Sequence, residues 1–251
     1  MSRTAQDDSL NGQVVVVTGS SSGIGAAIAR RGAQLGATVV VNSSRSVEAG
    51  EALAAELHGA SYCQADVGSE EGRERLIRYT LEEHGRLDHL VNNAARTQVI
   101  PHAELERLTT EVWRDIFELN LFATYQMTLL ALPHLRRSGR GSVLNITSLA
   151  GIRQLGSSIP YAVSKAALNH LTQLLAKQVG PEVRVNAVAP GLIETPWTAD
   201  WTAQHEAISR SAPLRRTGRP EDVAHAAVAL LTNGYTTGAV LLVDGGVGLT
   251  A

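Results

Sequence analysis

The sequence lacks several features, and each absence narrows what the protein can do. A single cysteine, Cys63, excludes an internal disulfide and a metal site built from several cysteines. The eight histidines form no HExxH, HxxEH or Cys/His grouping, so we predict no catalytic metal. No apolar run approaches the ~20 residues of a membrane-spanning helix. A formal net charge of -2 gives no reason to expect nucleic acid as a partner.

The remaining composition is that of an ordinary globular protein. Hydrophobic residues make up 44% of the chain and charged residues 18%. The first twelve residues are polar and lack the apolar segment of a secretory signal. We therefore expect a cytoplasmic protein with neither a membrane nor a nucleic acid as its partner.

Lysine is scarce, and one of the two lysines stands in an informative position. Lys165 and Lys177 are the only lysines among 22 lysines and arginines. Lys165 follows Tyr161 in the run Tyr-Ala-Val-Ser-Lys, a spacing that places both side chains on one helix face, one turn apart. A neighbouring cation favours the phenolate, so the phenol, whose ordinary pKa is ~10, becomes a proton donor nearer neutrality. In isolation the pair would indicate only a partly buried Tyr beside a surface Lys. Here a glycine-rich loop, Asn120 and Ser148 accompany it.

Short β-branched runs alternate with longer helical patterns along the whole chain. This alternation predicts an α/β fold, a doubly wound parallel sheet of the Rossmann type with about seven strands and helices on both faces. We predict one domain over residues 1–251, with the irregular residues 191–218 as a substrate-binding loop or lid. The predicted strands are residues 14–17, 38–41, 60–64, 87–91, 142–146, 183–188 and 239–243. The predicted helices are residues 24–35, 47–57, 70–83, 110–135, 162–179 and 221–231.

A glycine-rich loop joins the first strand to the first helix. Glycines permit a tight turn and close approach of a pyrophosphate, and the helix N-terminus supplies free N–H groups. The spacing is GxxxGxG rather than the usual GxGxxG, and a plain strand–helix turn is the alternative interpretation. The candidate dinucleotide contacts in this loop are Gly19, Ser21, Ser22, Gly23, Ile24 and Gly25.

The residues after the second strand bear on the choice between NADP and NAD. No acidic residue stands there to hold the adenosine ribose hydroxyls. Ser43, Ser44 and Arg45 could instead bind a 2′-phosphate, with Arg45 as the charged partner. A solvated cation at the helix entry is the alternative for Arg45. We expect NADP(H) to be preferred, with NAD(H) possible.

Two further strand ends carry candidate cofactor contacts. Asp66 and Val67 follow the third strand, where Asp66 could accept a hydrogen bond from the adenine or could cap the next helix. Asn93, Ala94 and Ala95 follow the fourth strand, and small residues there let a cofactor lie against the backbone. Open α/β sheets bind their ligands at this edge of the sheet.

Together these residues resemble the short-chain dehydrogenases/reductases, in their single-domain form of ~250 residues. The resemblance spans almost the entire chain. Within the family, the chain is similar to the 3-oxoacyl-carrier-protein reductases and their relatives. One departure is Ala95, where the family usually has Gly. The matching elements are residues 18–25, Asp66 with Val67, residues 92–95, Asn120, Ser148, Tyr161 with Lys165, residues 186–191, Thr195 and residues 243–246.

The resemblance implies a role for each matching residue. Tyr161 would be the general acid/base, Ser148 would hold the substrate oxygen, and Lys165 would bind the nicotinamide ribose and keep the pKa of Tyr161 low. Asn120 would hold a water through its backbone carbonyl and so lead protons to Lys165. The segment containing Pro190, Gly191, Ile193 and Thr195 would lie around the nicotinamide carboxamide, although Thr195 could be only a helix cap. The family also implies a homo-oligomer, a tetramer or dimer formed through the two long helices and the last strand.

The expected activity is hydride transfer between NAD(P)(H) and a small ketone or secondary alcohol. The alternatives are an enzyme of the same fold that performs epimerisation or dehydration, or a dinucleotide-binding protein without turnover. Trp197, Trp201, Ile152, Leu155 and Ile193 indicate an apolar substrate pocket, although the tryptophans could equally serve packing or an interface. Arg96 and Arg153 could meet an anionic substrate or could be solvated.

Overall fold

In the described part of the chain, seven short strands alternate with helices, as the sequence predicts, and the α-helices number eight where the sequence predicts six. The computed structural model describes residues 9–250, so most of the polar N-terminal segment lies outside the described residues. The strands are β1 (Val14–Val17), β2 (Thr38–Ser43), β3 (Ser61–Gln64), β4 (His89–Asn92), β5 (Ser142–Ile146), β6 (Arg184–Pro190) and β7 (Val240–Val243). The helices are α1 (Gly23–Gln34), α2 (Val47–Glu56), α3 (Glu70–His84), α4 (Thr110–Phe117), α5 (Thr124–Ser138), α6 (Ile159–Val179), α7 (Thr202–Ser211) and α8 (Pro220–Thr232).

The strands form one parallel sheet in the order β3-β2-β1-β4-β5-β6-β7. Val15 on β1 pairs with Val39 on β2 and with His89 on β4. The chain therefore winds outward in both directions from β1, and a crevice opens between β1 and β4 at their carboxyl ends. The predicted fold class is confirmed.

Two apolar layers cover the sheet, one on each face. One layer joins the valines Val15 and Val17 to apolar residues of α1, α2 and α8. The other joins Val14 and Val16 to α3, α5 and α6. Because successive side chains of a strand point to opposite faces, a strand covered on both sides must be apolar throughout, which explains the four consecutive valines of β1.

Two predicted elements differ from the structure in kind, whereas the ends of most others differ by one to three residues. The helix predicted over residues 110–135 is two helices, α4 and α5, joined by a π-helical turn at Glu118–Ala123. The stretch of residues 191–218, predicted to be irregular, contains α7. No helix among residues 9–250 is both long and apolar enough to cross a membrane.

A buried histidine lies at the amino-terminal edge of the sheet, away from the crevice. His89 is 1% exposed, its Nδ1 lies 2.7 Å from the Ser142 Oγ, and its Nε2 lies 2.6 Å from the Gln13 Oε1. Burial lowers the pKa of His89 to about 4. The folded protein therefore holds this ring neutral at pH values where an unfolded chain binds a proton.

This ring should make the folded state sensitive to acid. Between the unfolded pKa of ~6.5 and the folded pKa, only the unfolded state binds the proton, so stability falls as pH falls through that window. We expect His89 to account for a loss of roughly 3 kcal/mol in the free energy of unfolding between pH 7 and pH 4. Urea unfolding across this range should show a shallower pH dependence in His89→Gln than in the exposed control His58→Gln. Equal slopes in the two variants would contradict the assignment.

Candidate active site

A cleft of about 710 Å³ opens at the carboxyl ends of the strands. All predicted catalytic and cofactor-binding residues line it except Gly25 and Asn120. The crevice of the sheet therefore brings together predicted residues that lie up to 176 positions apart, from Gly19 to Thr195.

The glycine-rich loop forms one wall of the cleft and requires its glycines. Gly19 has a φ of +60°, and a Cβ there would lie 3.0 Å from the Ala94 Cα. Gly23 has a φ of +56°, a conformation that other residues rarely adopt. Gly25 instead lies beneath the loop, where a Cβ would come within 2.6 Å of the Asn93 Nδ2. Its position lets α1 pack closely under the loop.

The N-terminus of α1 faces the cleft without a protein partner for its charge. Ser22 at the N-cap makes no side-chain cap hydrogen bond, and the first turn holds no acidic residue. By contrast, Ser69 caps α3 and Ser158 caps α6. A helix start with free N–H groups next to a glycine cradle fits the pyrophosphate of a dinucleotide.

Polar residues at the strand ends position this loop, and two of them, the buried Thr18 and Asn42, have no role of their own in the sequence analysis. The Thr18 Oγ1 accepts hydrogen bonds from the backbone N–H groups of Asn93 and Ala94, both at 3.0 Å. The Asn93 Nδ2 donates to the carbonyls of Thr18 and Gly19, both at 2.9 Å. The Asn42 Oδ1 accepts from the Gly19 N–H at 3.2 Å. A polar residue directly after an apolar strand is the signal that could have identified them.

The end of β2 presents a free cation to the cleft. Ser43 is buried, and its hydroxyl donates to the Ser46 carbonyl at 3.0 Å and lies 2.8 Å from the Tyr62 hydroxyl. Ser44 and Arg45 are exposed, and the Arg45 guanidinium has no hydrogen bond or ion pair with any residue in the described part of the chain. The Ser44 carbonyl accepts from the Gln64 Nε2 at 3.2 Å, so of the three predicted 2′-phosphate contacts Ser44 and Arg45 keep their side chains free.

Asp66 and Val67 line the cleft beyond β3. The Asp66 Oδ1 accepts from the Gly68 N–H at 2.9 Å and stabilises its own turn. Ser69, not Asp66, caps α3, because its hydroxyl accepts from the Gly72 N–H at 3.1 Å. The exposed Asp66 carboxylate keeps free acceptor capacity at this end of the cleft.

Ser148, Tyr161 and Lys165 meet in the middle of the cleft. Ser148 follows β5, and the other two lie on α6, one turn apart. Lys165 is 3% exposed, its Nζ donates to the Ile146 carbonyl at 2.9 Å, and it lies 5.7 Å from the centroid of the Tyr161 ring. An ammonium has three donors, so two remain for a ligand.

Burial controls both ionisations. Burial raises the pKa of Tyr161, and a hydrogen bond with Ser148 opposes that shift only in part. Burial lowers the pKa of Lys165 to about 8. The sequence predicted that the cation would lower the pKa of Tyr161. In the protein alone the shift is upward, because desolvation of the phenolate outweighs the available stabilisation.

Asn120 lies outside the cleft, in the π-helical turn between α4 and α5. Its side chain accepts from the Arg96 N–H at 2.8 Å and donates to the Arg96 carbonyl at 2.9 Å and the Ser164 Oγ at 3.0 Å. Ser164 in turn donates to the Tyr161 carbonyl at 2.7 Å. The side chain therefore joins the loop after β4 to the helix that carries Tyr161. The water-holding role predicted for Asn120 depends on its backbone carbonyl, which takes part in none of these side-chain bonds, and it stays a prediction.

The predicted substrate residues divide into two groups. Leu155, Ile193, Trp197 and Trp201 line the cleft, whereas Ile152 does not. Arg96 lines the cleft but pairs with Asp115, and the Arg153 Nε donates to the Gly248 carbonyl at 2.8 Å. Thr195 lines the cleft and also begins the short turn Pro196–Thr198, where its backbone N–H donates to the Thr198 Oγ1 at 3.2 Å, and its contact with the nicotinamide carboxamide stays a prediction.

The part of the chain that the structure describes holds no cluster of three or more His, Cys, Asp or Glu side chains arranged to bind a metal ion.

Comparison with known proteins finds relatives over nearly the whole chain. The family model described as Enoyl-(Acyl carrier protein) reductase matches residues 19–248. A protein of Streptomyces violaceoruber, named as ketoacyl reductase 2 of the granaticin polyketide synthase, is 58% identical over 242 residues, 95% of this chain and 97% of that protein. An L-fucose dehydrogenase of Oryctolagus cuniculus is 42% identical over 246 residues, 94% of this chain and 84% of that protein.

A solved structure has the same fold. The chain superimposes with a TM-score of 0.89 on a crystal structure from Burkholderia xenovorans, titled as a short-chain dehydrogenase/reductase. The two sequences are 35% identical, and the match covers 94% of this chain and 98% of that one.

Proposed function

Because the chain belongs to the short-chain dehydrogenase/reductase family and is an NAD(P)(H)-dependent oxidoreductase, we propose that it reduces a ketone at the expense of NADPH. The observation that carries the proposal is the convergence of Ser148, Tyr161 and Lys165 in one cleft with the glycine-rich loop. The name of the relative from Streptomyces violaceoruber, a ketoacyl reductase, agrees with it.

The residues of the cleft divide the work of the reduction. Bound NADPH supplies the hydride. The Ser148 hydroxyl holds the substrate oxygen, and the Tyr161 phenol gives its proton to that oxygen as negative charge develops on it. Lys165 donates one of its two remaining N–H bonds to the nicotinamide ribose and the other to a water held by the Asn120 carbonyl, through which a proton from solvent replaces the one that Tyr161 gives up. The raised pKa of Tyr161 keeps the phenol protonated at neutral pH, which is the form that reduction requires.

The dinucleotide lies along the glycine-rich loop in this proposal. The α1 N-terminus binds the pyrophosphate with Gly19, Ser21, Ser22, Gly23 and Ile24, while Asp66 and Val67 border the adenine. Asn93, Ala94 and Ala95 flank the nicotinamide side, as does the segment containing Pro190, Gly191, Ile193 and Thr195. The whole chain acts as one domain, in which residues 191–218 close over the substrate.

The proposed function is tested by following NADPH absorbance with a panel of ketones that includes 3-oxoacyl thioesters. We expect oxidation of NADPH with at least one class of ketone and none without substrate. Silence across the panel, with NADPH shown to bind by fluorescence, would contradict reduction and favour epimerisation, dehydration or nucleotide sensing.

We also propose that the enzyme prefers NADP(H) to NAD(H). Arg45 is unpaired at the end of β2, and residues 42–46 include no carboxylate to repel a 2′-phosphate. A charge-assisted hydrogen bond between guanidinium and phosphate stabilises the complex by about 1.5–3 kcal/mol, which corresponds to roughly 10- to 100-fold in affinity.

Arg45→Ala should therefore raise the KM for NADPH by about 10- to 100-fold and leave the KM for NADH nearly unchanged. The matched control is Arg137→Ala, which removes an exposed cation on α5, outside the cleft. Steady-state kinetics with both cofactors make the comparison. A wild-type enzyme that prefers NADH, or an Arg45→Ala variant with unchanged KM values, would contradict the assignment.

We propose a homotetramer, with a dimer as the smaller alternative, and a cytoplasmic location. Large apolar side chains are 39–49% exposed on α5 and α6, namely Tyr125, Leu129, Val163 and Leu174, and Leu241 of β7 is 40% exposed. A second copy of the chain would cover them. The single cysteine, buried and free, is compatible with a reducing compartment.

A further inference from the structure

The substrate end of the cleft, beyond Ser148 and Tyr161, has an apolar wall. Its side chains come from the loop after β5, the stretch around α7 and the C-terminal turn: Leu149, Leu155, Trp197, Trp201, Ile208 and Val247. Leu149, Val247 and Ala212 form a small core cluster of their own, against which Leu155 and Ile208 pack. The side chains of the wall therefore pack against a buried apolar cluster of the protein.

The polar groups at the same end already have partners within the protein. The Thr97 Oγ1 and Ser157 Oγ lie 2.5 Å apart and bond to each other. The Thr198 Oγ1 donates to the Ile193 carbonyl at 2.6 Å. Arg96 is neutralised by Asp115. A substrate with many hydroxyl groups would exchange its hydrogen bonds to water for few new ones, and Arg96, the charged side chain described at this end of the cleft beyond Lys165, is already paired.

Trp197 stands beside the proposed proton donor. Its ring centroid lies 6.4 Å from that of Tyr161, at an interplanar angle of 77°, and the residue is 48% exposed. The short turn that carries it is held by Thr195 and Thr198, and the Thr198 carbonyl bonds to the His205 Nε2 of α7 at 3.1 Å. The indole therefore offers a fixed apolar face next to the reacting oxygen.

We propose that this site takes an uncharged ketone whose body is a flat, largely apolar ring system, and that Trp197 determines this specificity by covering the ring. The inference rests on the proposed function, because it assumes that the ketone oxygen lies at Tyr161 and Ser148. It names the substrate class, which the proposed reaction alone leaves open between rings, acyl chains and sugars.

The test compares three neutral ketones with saturating NADPH: the fused ring 2-tetralone, the open chain 2-decanone with the same number of carbons, and the polyol D-fructose. We expect kcat/KM to be about tenfold higher for 2-tetralone than for 2-decanone, and at least about 100-fold higher than for D-fructose. Trp197→Ala should lower kcat/KM for 2-tetralone by about 30-fold, mainly through KM, and should abolish the preference over 2-decanone. Trp197→Phe, which keeps an aromatic face, should retain most of the activity.

The controls separate this inference from the proposed function. Trp113→Phe changes a tryptophan that packs against Phe117 on α4, outside the cleft, and should behave as wild type. Calorimetric titration of 2-tetralone into enzyme saturated with NADP⁺ should show binding to wild type and weaker binding to Trp197→Ala. Oxidation of NADPH with equal efficiency for the ring and the chain, or an unchanged preference in Trp197→Ala, would overturn the inference alone. No oxidation with any of the three ketones, while a 3-oxoacyl thioester is reduced, would overturn the inference and leave the proposed function standing. Silence with the thioester as well would overturn both proposals.

Discussion

Replacing Tyr161 with Phe is expected to lower kcat for ketone reduction by about 10³-fold, the contribution typical of a positioned general acid. The substitution removes one oxygen and its transferable proton, and it keeps the ring that packs against Trp197. Since most of the residues proposed to hold the dinucleotide lie elsewhere in the cleft, the Kd for NADPH should stay within about twofold of wild type. Stopped-flow reduction and a fluorescence titration measure the two quantities.

Tyr125→Phe provides the matched control for this variant. Tyr125 is 39% exposed on α5 and does not line the cleft, so its phenol should be dispensable for turnover. A Tyr161→Phe enzyme that retains comparable activity would show that the proton comes from another group, and the role proposed for Tyr161 would be wrong.

Lys165→Ala is expected to damage both turnover and cofactor binding. The variant loses the donors proposed for the nicotinamide ribose and the ammonium proposed to return the proton to Tyr161. We expect kcat/KM to fall by about 10³-fold or more and the Kd for NADPH to rise by about tenfold. Circular dichroism should show an intact fold, because a buried cation whose partner is one carbonyl contributes little to stability.

Two further variants sharpen this prediction. Lys177→Ala removes the only other lysine, which is exposed on α6, and should leave both constants unchanged. Lys165→Arg should fail to restore activity, because a planar guanidinium does not fit the place of a compact ammonium at 3% exposure. A fully active Lys165→Arg enzyme would contradict a role that depends on a titratable, compact cation.

The sheet could be predicted from the sequence because its strands are short apolar runs of unmistakable character. A run of four valines, Val14–Val17, is typical of a strand that is covered on both faces. Ser142–Ile146 is similarly apolar, and both strands have the bounds that the sequence predicts. Once the strands are ordered as alternating β and α, the carboxyl edge and its residues follow from topology alone. This is why residues as distant as Gly19 and Thr195 could be assigned to one site.

The π-helical turn around Asn120 could not be predicted, because its cause is tertiary. The apolar periodicity of residues 110–135 continues across it, and only the bonds from Asn120 to Arg96 and Ser164 mark the place where the helix widens. The helix α7 was missed for a different reason. It has no fully buried residue, so its sequence carries a weak apolar stripe between two proline-containing turns.

The direction of the Tyr161 pKa shift also required coordinates. The spacing of Tyr161 and Lys165 predicts only that the two side chains are neighbours. The direction of the pKa shift depends on whether the desolvation cost of the Tyr161 phenolate exceeds the stabilisation that its neighbours give it. In the protein the ammonium bonds to the Ile146 carbonyl, and burial has the larger effect. The consequence is a phenol that holds its proton, which suits the donor in a reduction.

The most direct test of the account is to follow the hydrogen itself. NADPH deuterated at C4 of the nicotinamide, in both stereochemical forms, would be mixed with the enzyme and 2-tetralone, and the alcohol product analysed by NMR. The account predicts that one of the two forms delivers its deuterium to the carbinol carbon, that this transfer is lost in Tyr161→Phe, and that the hydroxyl proton comes from solvent. Alcohol formed without deuterium on carbon from either form would contradict it.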